Sequence, residues 1–245
     1  MAHFLDTVDT IPEGVGFKSF GLTHSLWLIG FALFTALCCV LYKKLSEHGR
    51  KIFRIATASL IVADEIFKIV CLCIEGNYSP SYLPLHLCSI NIFFIAFHAF
   101  KPTRFMGNFL YTVCIPGALM ALLFPTWTAL PFGNFMHMHS FSVHILLAAY
   151  PIILTVCGEI KPDSKQIPKC LMFLAALAVP IYIFNLIADT NFMFLISADP
   201  GNPLYYFEQL FGHHEIGFPV LIAAVLAVMH IPFVIYGKFA AKKTA

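Results

Sequence analysis

The chain has 245 residues, 59% of them hydrophobic and only 11% charged, with a mean hydropathy of +0.81 and a formal net charge of +2. Soluble domains carry about 25% charged residues, so a soluble fold is excluded and an all-α integral membrane protein is expected. The basic residues form no cluster of the kind that grips a phosphate backbone, which excludes nucleic acid as a partner.

The first twenty residues carry Asp6, Asp9 and Glu13 against Lys18. That is the reverse of a basic signal-peptide start, so the first apolar run is expected to stay as a helix. About 20 mostly apolar residues are needed to cross the hydrocarbon. Seven segments qualify within a single domain spanning 1–245: about 22–42, 52–74, 83–100, 105–124, 139–157, 170–188 and 216–236. Between the fourth and fifth, residues 125–138 carry no charge, and Trp127, Leu130 and Phe132 point to a stretch lying in the interface or folded back over the bundle. Eight cysteines fall in or at the ends of apolar runs, so no disulfide framework is expected.

Lys43, Lys44, Arg50, Lys51 and Arg54 follow the first segment, and Lys101 and Arg104 follow the third. Lys161, Lys165 and Lys169 surround the loop after the fifth, and Lys238, Lys242 and Lys243 follow the last. Thirteen of the fifteen basic residues thus fall on one side, which the positive-inside rule makes cytoplasmic. The N-terminus is expected outside and the C-terminus inside, in a multi-pass protein of the cell membrane. The bilayer is its surroundings, and no cofactor is expected.

With that orientation, polar side chains gather in the outer half. His86 and Cys88 begin the third segment and His24 the first. His137, His139 and His144 begin the fifth, and Asn185, Asp189 and Asn191 end the sixth. Pro84 suits a first helical turn. In the second segment Asp64 and Lys68 are four apart and are expected to pair, leaving Glu65 turned away by about 100°. Charges within a span are costly and mark function by default. Cys88 and His86 are two apart and cannot face each other, so a histidine that activates Cys88 must come from another helix. His137, His139 and His144 admit metal ligation or general-base roles, although no H-E-x-x-H spacing is present. Asn185 and Asp189 share a face and could orient an imidazole or satisfy the helix end. His213, His214 and Glu215 suit a cap of the last helix, and His230 a packing role.

Pro84–Cys88 (P-L-H-L-C), Glu65, His139, His144 and Asp189–Leu195 (D-T-N-F-M-F-L) resemble the bacterial YwaF-type membrane proteins, relatives of the animal transmembrane protein 164 acyltransferases that act on ether phospholipids. The resemblance covers nearly the whole chain. It implies a lipid acyltransferase whose nucleophilic cysteine sits beside a histidine in a P-C-H sequence. It also implies a catalytic histidine seven residues before a proline, matched by His144 and Pro151. At the cysteine's position this chain has Leu85, and Cys88 lies about one turn further on.

Three readings follow. The first is a membrane phospholipid acyltransferase or transacylase with Cys88 as nucleophile, His144 as base and His86 beside them, supported by Glu65, His139, Asn185, Asp189 and Asn191. The second is a metal-dependent lipid hydrolase with His86, His139, His144 and Asp189 as ligands. The third is a transporter or lipid-binding protein without enzymatic activity.

Overall fold

The computed structural model describes residues 3–243, with side chains described as far as Ile231. Lys238, Lys242 and Lys243, expected to follow the last span, lie outside the described side chains. Among the described residues the fold is all helical. The helices are α1 (Leu22–Lys44), α2 (Glu47–Ile74), α3 (Leu87–Phe100), α4 (Arg104–Phe109), α5 (Ile115–Leu123), α6 (Phe135–Val156), α7 (Ile167–Ala188), α8 (Pro203–Phe211) and α9 (Gly217–Lys243).

Among the described residues six stretches are long and apolar enough to cross a membrane: Leu22–Lys44, Pro80–Phe100, Arg104–Leu123, Phe135–Val156, Ser164–Ala188 and His214–Ile231. α2, with 28 residues, is the longest helix, but Asp64, Glu65 and Lys68 interrupt its apolar character. It packs mainly on α3 and α6.

α6 is the central element. It contacts α1, α2, α3 and α5 and buries side chains around most of its circumference. It starts at Phe135, four residues before the expected start at His139, because the Asn134 side chain caps it by accepting the His137 N–H. Pro151 lies inside α6 and has no N–H for the carbonyl of Leu147. The Cys114 thiol donates to that carbonyl instead, at 3.4 Å. α4 and α5 form one rod through a π-helical turn at Leu110–Cys114, just before Pro116. Such a turn re-seats the ladder where proline removes a bond.

The uncharged stretch after α5 folds back over the bundle. Trp127 and Leu130 are buried, whereas Phe132 stays exposed. The segment before α1 is strapped to it, with the Phe17 N–H donating to Thr128 O and the Asn134 amide to the carbonyls of His3 and Asp6. Gly16 permits this approach, because a Cβ there would collide with the Thr128 carbonyl.

Candidate functional site

Leu83 precedes Pro84 and is held extended (φ −57°, ψ 145°). The helix nevertheless starts only at Leu87, with His86 as N-cap (φ −64°, ψ 151°), so Pro84 lies before α3 rather than in its first turn. The His86 side chain makes no capping bond, so its ring is available elsewhere. Cys88 falls on the first turn of α3.

His86, Cys88 and Ser89 face a cavity of about 200 Å³. From α6 come Met136, His139, Ser140, Val143 and His144, a stripe at three- and four-residue spacing. α2 contributes Glu65 and Lys68. Five of the expected site residues, Glu65, His86, Cys88, His139 and His144, thus line one space.

The two imidazoles nearest in role are fixed in opposite senses. His144 Nδ1–H donates to the Ser140 carbonyl at 2.6 Å, and its ring stacks on Trp127 with centroids 5.2 Å apart and planes 12° apart. Its Nε2 is then a bare acceptor. His86 Nδ1 accepts the Met193 N–H at 3.3 Å, so the neutral ring carries its hydrogen on Nε2. No hydrogen bond joins the Cys88 sulfur to either ring in this structure.

The charged wall differs from the expected pairing. Lys68 donates to Glu65 Oε1 at 2.6 Å, an i,i+3 pair with both side chains buried. The longer glutamate reaches the lysine on the inner face, while Asp64 turns to α6. There Asp64 Oδ2 lies 2.9 Å from His139 Nδ1 without hydrogen-bond alignment, and Glu65 Oε2 lies 3.7 Å from His139 Nε2.

Asn185, Asp189 and Asn191 do not line the cavity. Asp189 is the exposed, left-handed C-cap of α7 (φ 50°, ψ 52°). Asn185 and Asn191 instead bond the backbone of the loop that carries Met193. Among the described residues no three His, Cys, Asp or Glu side chains stand close enough to share a metal ion.

Other histidines are committed to packing. His24 accepts the Phe20 N–H and donates to Leu122 O. His137 accepts from the Trp27 indole and donates to Leu130 O. His98 pairs with the Tyr150 hydroxyl, and His230 lies 3.4 Å from the Thr112 hydroxyl. Sequence reasoning missed Ser140, Trp127, Met193 and His214 as partners of the site. Only Ser140, four residues before His144, left a signal in the spacing.

The model of the TMEM164 family matches residues 19–236 of this chain. No curated protein and no solved structure matches it.

Proposed function

Because the chain belongs to the TMEM164 family, we propose that the cavity is the active site of a membrane phospholipid acyltransferase or transacylase. The observation that carries this is the fixed His144 ring, whose Nδ1–H is held by Ser140 O while it shares a cavity with Cys88 on a helix N-terminus. In the first half-reaction His144 Nε2 removes the Cys88 thiol proton. The thiolate attacks the acyl carbonyl of a phospholipid ester, and the tetrahedral intermediate collapses to a thioester. The departing lysophospholipid oxygen takes the proton back from His144. In the second half-reaction His144 removes the proton of an acceptor hydroxyl, which attacks the thioester. The thiolate released is reprotonated by the same imidazolium. Cys88 and His144 draw into hydrogen-bond contact once substrate is bound, as is common for catalytic pairs that are long in the free enzyme. Glu65, Lys68 and His139 form the polar wall beside them.

In this reading α2 is a seventh crossing, its Glu65–Lys68 pair turned away from lipid. The N-terminus lies outside, the lysine- and arginine-rich loops face the cytoplasm, and the protein resides in the cell membrane. Turnover of labelled phospholipid to a lyso acceptor, with protein in nanodiscs, tests the reaction. Wild type transfers acyl groups, and Cys88→Ala and His144→Ala, folded by thermal melting, do not. An active Cys88→Ala protein rules out the cysteine route.

A further inference from the structure

The segment after α7 carries three of the five left-handed non-glycine residues among the described residues. Asp189 (φ 50°), Met193 (φ 59°) and Phe194 (φ 55°) are all left-handed, and none is glycine. L-residues avoid that region because Cβ crowds the following carbonyl, so surrounding bonds must hold the shape. Asn185, 2% exposed, supplies three of them. Its Nδ2 donates to Phe192 O at 3.0 Å, and its Oδ1 accepts the Thr190 hydroxyl and the Phe192 N–H, each at 2.9 Å. Asn191 Oδ1 accepts the N–H groups of Ile196 and Ser197. From the turn before α9, buried His214 donates through Nε2 to Phe194 O at 3.1 Å.

The loop so held presents one group to the cavity wall, the Met193 N–H, which donates to His86 Nδ1 at 3.3 Å. The rings of Phe192 and Phe194 close on the same imidazole, with centroids 5.0 and 5.9 Å away. An imidazole that accepts at Nδ1 keeps its hydrogen on Nε2. His144, held by a carbonyl, is its mirror: hydrogen on Nδ1, lone pair on Nε2. Acyl transfer needs this division, an acceptor for the nucleophile's proton and a donor for the oxygen that gathers charge.

We propose that the 189–197 loop is a positioning device that holds His86 as an Nε2–H donor for the acyl carbonyl oxygen, with Met193 N–H as the contact and Asn185 as the pin. His86 is then a catalytic residue and Asn185 a positioning residue. The assignment rests on the acyl-transfer reading for its purpose but is measured without turnover.

Nitrogen-15 NMR of histidine-labelled protein reads the tautomer directly, with His86 and His144 assigned through His86→Gln and His144→Gln. The expected wild-type spectrum shows His86 protonated at Nε2 and His144 at Nδ1. Asn185→Ala should scramble the His86 tautomer, leave His144 unchanged and lower kcat by about 100-fold at constant KM, the scale for misplaced catalytic groups. Met193→Gly keeps both the N–H and the permitted φ, so it should preserve the His86 Nε2–H signature. A wild-type spectrum with His86 protonated at Nδ1 overturns the proposal, whatever the fate of the Asn185 variant. So does an unaltered His86 tautomer in folded Asn185→Ala. Loss of the acyl-transfer reading would appear separately, as turnover that survives Cys88→Ala.

Discussion

The two ends of α6 treat polar groups in opposite ways. Beyond its C-terminal end, both carboxylate oxygens of Glu159 are taken: Tyr42 donates to one at 2.8 Å and Arg54 to the other at 2.7 Å, while His98 and Tyr150 satisfy each other nearby. Toward its N-terminal end, buried Asp64 Oδ2 and His139 Nδ1 meet without hydrogen-bond alignment, and Cys88 and His144 line a cavity. In an apolar bundle every unpaired polar group costs free energy. A carboxylate with both oxygens paired is therefore read as structure, and polar groups left out of alignment beside a cavity as a place kept for substrate.

The largest effects should come from the unsaturated end. Cys88→Ala and His144→Ala should each lower turnover by about 10³-fold or more, measured in nanodiscs, with melting midpoints close to wild type. Next comes the charged wall. Glu65→Gln leaves Lys68 buried and unpaired, and denaturation in detergent should show a loss of about 3–5 kcal/mol. Glu65→Gln combined with Lys68→Met should recover part of it, since no charge is then stranded. Equal losses in the single and double variants would mean that the pair is not coupled.

At the saturated end Tyr42→Phe removes one hydrogen bond to a carboxylate and should cost about 1.5 kcal/mol of stability with turnover unchanged. Lost turnover without lost stability would break the contrast between the two ends. The smallest effect concerns Asp163 in the loop between α6 and α7. The Lys165 N–H and the Arg104 guanidinium hold its carboxyl below the usual range. A depressed folded value adds stability above the unfolded carboxylate range, lost as pH falls through the folded value. Asp163→Asn should flatten that acid-side slope in melting curves, slightly, because its Arg104 partner is exposed to solvent.

The long helices were legible because hydropathy over about 20 residues is a coarse signal that tertiary contacts do not alter. Their starts were not. Pro84 reads as a first-turn proline, yet α3 starts at Leu87 with His86 as its cap. Asn134 was unread as a cap, so Phe135–Met138 looked like loop. α8, from Pro203 to Phe211, is too short and too polar on one side to register against the spans.

Of the site, the sequence picked out a set of polar residues near helix ends, and five of them line one cavity. It did not show that Glu65 rather than Asp64 meets Lys68, since i,i+3 and i,i+4 partners are equally near along a helix. Nor did it separate Asn185 from the cavity groups, because its partners lie five to seven residues on, in a loop whose left-handed turns no residue type announces. Histidine tautomers belong to the partners of each ring, and only the fold supplies those.

The most direct measurement is intact-protein mass spectrometry of wild type and Cys88→Ala after incubation with mixed phospholipids. A fatty-acyl mass increment on wild type, removed by hydroxylamine and missing from Cys88→Ala, is the predicted result. The same increment on both proteins, or turnover by Cys88→Ala at the wild-type rate, would contradict a thioester at Cys88.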